Sequence, residues 1–150
     1  MLFRSPFMRI EAKVSGRAVA AGARRVTADV TVRNEAPTGL GRYAEGPFPG
    51  TPYGPGEYAG LLAFEVPRYA TGVALTGTAA TLAEGSEGTT RVIAGSVRIL
   101  RGGSLTARLT FVLPAGRTAL SVRGSARVPA STWTVGGKTF TDDAVRRIEP

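Results

Sequence analysis

The 150-residue chain has no cysteine and no histidine. Without cysteine there is no disulfide, no thiolate metal site and no thiol nucleophile. Without histidine, the commonest general base and the commonest nitrogen ligand for metals are both missing. Catalysis would fall to carboxylates, hydroxyls and amines, and the only amine side chains are Lys13 and Lys138. A Ser/Lys nucleophile would need one of them, and both fall on strand surfaces or at a hairpin. No cofactor or metal ion is expected. Asp142 and Asp143 are a cation candidate, but two adjacent carboxylates fall short of the about six to eight oxygens that calcium takes.

Long apolar runs are also missing. No stretch approaches the roughly 20 apolar residues that span a bilayer, and the start has no continuous apolar segment with a small-residue cleavage site. The first five residues, Met1 to Ser5, match the translation of a widely used sequencing-adapter tail, so 1–5 reads as an artefactual start at a broken gene end. The expected organisation is therefore a single domain over 6–141 and a C-terminal tail over 142–150 whose mixed charge predicts fraying. The formal charge is +8, carried almost wholly by arginine. Such a surface attracts polyanions whatever the codon bias behind it.

What is abundant is strict alternation. Met8, Ile10, Ala12 and Val14 alternate with Arg9, Glu11 and Lys13; Val26, Ala28, Val30 and Val32 alternate with Thr27, Asp29, Thr31 and Arg33. A period of two means strands with one wet face. Further strands are expected over 58–66, 72–76, 90–100, 105–113 and 120–128, with a small hairpin about Gly136-Gly137. Arg101-Gly102-Gly103-Ser104 reads as a hairpin turn between 90–100 and 105–113. Trp133 reads as core. About eight or nine strands with no amphipathic helix predict an all-β fold, an immunoglobulin-like antiparallel β-sandwich with one long Pro/Gly-rich loop.

That loop, 34–57, holds Pro37, Pro47, Pro49, Pro52 and Pro55, which remove amide donors and fix φ. In and beside it lie Arg42, Tyr43, Phe48, Tyr53 and Tyr58, a candidate contact surface for a ligand or partner, since a preordered loop loses less entropy on binding. The same rings could instead fold back to cap the open end of the sandwich, where burial is worth about 1.5–3 kcal/mol each. Glu35, Glu45 and Glu57 would serve a hydrolase only if two of them faced each other at about 5 or 6.5–9.5 Å. Arg98, Arg108, Arg123 and Arg127 would form a polyanion stripe if their strands shared a sheet. Nucleic acid is not expected, because aromatics are not interleaved with that stripe.

The run Val30-Thr31-Val32-Arg33-Asn34-Glu35-Ala36-Pro37-Thr38-Gly39-Leu40, followed by Tyr43 and then Tyr53-Gly54-Pro55-Gly56, resembles a family of actinobacterial membrane-anchored envelope proteins of unknown function, the one numbered four thousand and twelve. The likeness spans most of 7–141 and concerns the family's β-rich C-terminal region, which follows a membrane segment and a larger domain. It implies a noncatalytic extracytoplasmic accessory module, a fragment of a longer chain, with a missing N-terminal domain or an envelope protein as partner. Cell-wall polysaccharide is a further partner it implies, and membrane association would come only through a missing upstream anchor. The alternatives are a glycan-binding module using the loop aromatics and, less favoured, a carboxylate hydrolase.

Overall fold

In the computed structural model, the residues described are 7–39, 41, 45–46, 50–117, 119–123, 129–142 and 144–150. The strands are β1 (Met8–Ala18), β2 (Arg24–Asn34), β3 (Tyr58–Pro67), β4 (Thr71–Thr76), β5 (Ala80–Glu87), β6 (Thr90–Ile99), β7 (Ser104–Leu113), β8 (Leu120–Val122), β9 (Thr132–Val135), β10 (Lys138–Thr141) and β11 (Arg146–Ile148); of the run expected over 120–128, 124–128 lie outside the described residues. A six-stranded sheet runs β10-β9-β1-β2-β7-β4, and a three-stranded sheet runs β3-β6-β5; β8 and β11 pair separately. All pairings are antiparallel except β1 with β9.

Period-two patterning decides which face goes inward. Val14, Val26, Ala28, Leu109, Phe111 and Leu113 from the large sheet meet Val66 and Ile93 from the small one, together with Val122 and Ile148. A second cluster holds Met8, Ala12, Val30, Val32 and Ile99. Leu62, Phe64, Leu105 and Trp133 touch both clusters and make the interior continuous. Each large aliphatic side chain withdrawn from water there contributes about 1.5–3 kcal/mol. Trp133 is only half-buried, and its indole N–H donates to Asp142 at 3.3 Å.

The chain is thus the expected all-β sandwich of antiparallel sheets, but its order of strands departs from the immunoglobulin one. A constant-type immunoglobulin order sets the fifth strand between the second and fourth, and the seventh beside the sixth. Here β7 lies between β2 and β4, and β5 lies beside β6.

Three further expectations are corrected. Residues 100–103 do not close a hairpin, because β6 and β7 belong to different sheets. The Gly103 amide does bond the Leu100 carbonyl at 2.9 Å, with Gly102 at φ 72°, a local turn that sequence alone cannot tell from a hairpin's. The turn instead carries the chain over the edge from one sheet to the other. The tail is not frayed throughout: β11 pairs with β8, and Ile148 is buried against the core. Eleven strands appear among the described residues rather than eight or nine: β5 is a full strand where 78–88 reads as a strand end running into a Gly/Ser/Glu turn, and β11, in the tail, is too short for its alternation to register.

Candidate functional site

Asn34 closes β2 at the parity of Val26, Val30 and Val32, so its side chain enters the interior, where it is 2% exposed. A buried amide must find partners. Its Nδ2 donates to the Gly56 carbonyl at 2.8 Å and to the Ile99 carbonyl at 3.1 Å, and its Oδ1 accepts from the Ala36 amide at 3.2 Å. The Asn34 amide donates to the Gly103 carbonyl at 2.9 Å, and its own carbonyl accepts from the Gly102 amide at 2.8 Å. One residue therefore ties together the end of the large sheet, the end of the small sheet and the long loop.

The returning half of the loop is held by arginines from the other side. Glu57 is 2% exposed, and Arg98 of β6 engages both of its carboxylate oxygens. The same carboxylate accepts from the Gly54 amide at 2.7 Å, closing a turn in which the Glu57 amide donates to the Gly54 carbonyl. Two-point guanidinium contact is the strong form of this pairing, and the hydrogen bond to Glu57 holds Arg98 more firmly in its charged form. Arg98 also donates to the Pro52 carbonyl at 3.1 Å, and its guanidinium lies 5.4 Å from the centre of the Tyr53 ring. Arg101 donates to Glu45 at 2.7 Å, and the Gly56 amide donates to the Glu45 carbonyl at 2.8 Å. Gly56 has φ 70°, and any side chain there would strike the Arg101 guanidinium.

These contacts sort the candidate residues. Tyr53 is 37% exposed and presented beside Arg98 on the outer face of the small sheet. Tyr58 points the other way, over Gly60 and against the second core cluster, so it belongs to the interior. Arg42, Tyr43 and Phe48 lie outside the described residues. Glu35 is half-exposed and pairs with Arg9 at 3.1 Å, so each of the three loop carboxylates is engaged by its own arginine. Asp142 accepts from the Ser131 amide at 2.7 Å as well as from Trp133, a brace at the base of the β9–β10 hairpin. Among the described residues no cluster of three or more metal-ligating side chains occurs, and no helix is long and apolar enough to cross a membrane.

The proposed arginine stripe is not assembled. Arg98 projects from the small sheet and Arg108 from the large one, so they stand on opposite outer faces of the sandwich. Arg123 follows the short β8, and Arg127 lies outside the described residues. The stripe assumed that 90–100 and 105–113 were neighbours, the same assumption that made 101–104 a hairpin.

Sequence reading passed over Asn34 and Arg101. Asn34 did leave a signal: it is a polar residue at an inward position of an otherwise apolar alternation. Arg101 left none, because the contact it makes depends on where the loop returns. No family model matches the chain, and comparison with curated proteins and with solved structures gives no match either.

Proposed function

We propose that this chain is a noncatalytic interaction module of an extracytoplasmic envelope protein, and that it contacts a protein partner through the loop at 35–57. The observation that carries the reading is the fixation of the described returning part of this loop, 50–57, by Asn34, Arg98 and Arg101, which presents Tyr53 and the flanking Pro52 as a preordered rim. Prior ordering lowers the entropic cost of association, and Tyr and Arg are the residues most enriched where binding energy concentrates. The envelope setting rests on the resemblance of the 30–56 segment alone, with the neighbouring domain of the same protein as the simplest partner.

The hydrolase alternative is less favoured because Glu35, Glu45 and Glu57 are each engaged by an arginine. The glycan alternative loses support at two of its rings. Tyr58 is turned inward, and Arg98 lies against Tyr53 where a sugar would stack.

The test is cosedimentation of the protein with isolated actinobacterial envelopes, before and after protease treatment of the envelopes, beside a Tyr53→Ser variant. The expected result is binding that protease removes and that Tyr53→Ser weakens about tenfold, the scale of one interface hot spot. Binding indifferent to protease but lost in the variant would transfer the role to glycan recognition. Binding that ignores both treatments would remove the loop from the account.

A further inference from the structure

The outward side chains of β1 and the arginines at both ends of β2 are exposed on the outer face of the six-stranded sheet, and its register arranges charge in rungs. Arg17 lies directly opposite Arg25, Lys13 opposite Asp29, and Arg9 opposite Arg33. Asp29 continues across to Arg108 and Arg33 to Ser104. Between these rungs stand a hydroxyl rung, Ser15–Thr27–Thr110, and a mixed rung in which the carboxylate residue Glu11 joins Thr31 and Thr106, extended by Thr132 and Thr141. Rungs that carry arginine or lysine therefore recur every four residues, about 13 Å apart along the strands.

The charges are unevenly satisfied. Arg108 is spent on Asp29 at 2.6 Å and Arg9 on Glu35 at 3.1 Å. Arg17, Arg25 and Arg33 are exposed, and their side chains show no hydrogen bond or ion pair among the described residues. Like charges directly opposite one another destabilise a strand pair, and a face needed only for solubility would alternate signs instead. Both ends of this face do the opposite. A bound anion would relieve the repulsion of the Arg17–Arg25 rung and pair with Arg33 at the other end, where Arg9 is held by Glu35, while the hydroxyls between could hydrogen-bond a chain of alcohols.

We propose that this face binds a linear anionic polysaccharide, with Arg17, Arg25 and Arg33 taking its carboxylates or phosphates and the Ser15, Thr27, Thr31, Thr106 and Thr110 rungs meeting its hydroxyls. Nucleic acid fits less well, because none of the described residues paired across this face is an aromatic on which a base could stack. The site is separate from the Tyr53 rim of the loop, since Tyr53 and Arg98 occupy the opposite outer face, although Glu35 at the start of the loop pairs with Arg9 of this face. Success or failure here leaves the loop reading untouched.

Affinity for polygalacturonate is measured at low and moderate salt, with neutral dextran and a single-stranded oligonucleotide of similar length as comparison polymers. The expected result is salt-sensitive binding to polygalacturonate and none to dextran. The Arg17→Ser/Arg25→Ser/Arg33→Ser variant should lose at least about tenfold in affinity and show a shallower salt dependence. Replacing the three by lysine should retain most of the binding, and Tyr53→Ser should retain all of it. Thermal unfolding of the triple serine variant should occur at or above the wild-type temperature, because a repulsion has been removed. If that variant proves unfolded, Arg33→Ser alone is read in the same assay. Equal binding by wild type and variant, no binding by wild type, equal binding to dextran, or tighter binding to the oligonucleotide would each overturn the proposal.

Discussion

The Asn34 side-chain amide donates to the Ile99 carbonyl across the gap between the two sheets, at 3.1 Å. Because the other Nδ2 partner is also a carbonyl, only the nitrogen of the amide can face this pocket. Asn34→Ala would strand two carbonyls and one amide and is expected to cost roughly 2–4 kcal/mol. Asn34→Asp should cost more, since it sets a carboxylate against two carbonyl oxygens. Urea unfolding ranks the three proteins, and limited proteolysis should cut within 35–57 first in both variants.

Arg98 and Glu57 are unequal partners: the carboxylate is buried, while the arginine side chain is 54% exposed. Removing the arginine leaves a buried charge, so Arg98→Ala is expected to destabilise more than Glu57→Gln. Because water reaches the arginine, the loss should fall below that of a fully buried pair. A double-mutant cycle measures the coupling directly. Additive effects would show that the pair is incidental.

How far was this architecture legible in advance? Parity placed Val26, Val30, Leu109 and Phe111 inward correctly, since a buried face imposes its period on the residues themselves. Topology was another matter. The turn at Leu100 to Gly103 has the same residues and the same local hydrogen bond whether it joins neighbours in one sheet or crosses between two. What decides is Asn34, nearly seventy residues earlier in the chain, whose bonds to Gly102 and Gly103 pull the turn over the edge of the sandwich. The stripe of Arg98 and Arg108 failed for that reason. The rungs of Arg17 with Arg25 and Arg9 with Arg33 needed the β1–β2 register, which the loop at 19–23 alone defines.

The pair of Asp29 and Arg108 supplies a pH dependence. The hydrogen bonds from Arg108, at 2.6 and 3.0 Å, hold the Asp29 carboxyl below the usual carboxylate range, against a desolvation that pushes it up. Its contribution to stability is fully present above the unfolded-state value of about 4, and is lost as pH falls through the lower folded-state value. Both side chains reach solvent, so the contribution is expected to stay under about 1 kcal/mol. Asp29→Asn should therefore narrow the stability difference between neutral and strongly acidic solution slightly, as followed by thermal unfolding across that range.

The C-terminal strand makes a different demand. Ile148 joins Val122 in the core, and a side chain at Gly16 would meet the Pro150 carbonyl at 2.5 Å. Ile148→Ala is expected to cost about 2 kcal/mol or more, the low end for a buried aliphatic at a small sheet that can relax. Gly16→Ala should also destabilise, by displacing the tail. Calorimetry on the two variants checks both, and unchanged unfolding temperatures would mean that β11 is dispensable.

The preordered loop is the central claim, and amide hydrogen exchange on the free protein tests it most directly. The account predicts that the amides of Asn34, Gly56, Gly102 and Gly103 are protected to nearly the extent of the central strand β7, and that Asn34→Ala abolishes protection at all but the strand residues. Exchange of the Gly56, Gly102 and Gly103 amides at the rate of an unfolded chain in the wild-type protein would contradict it.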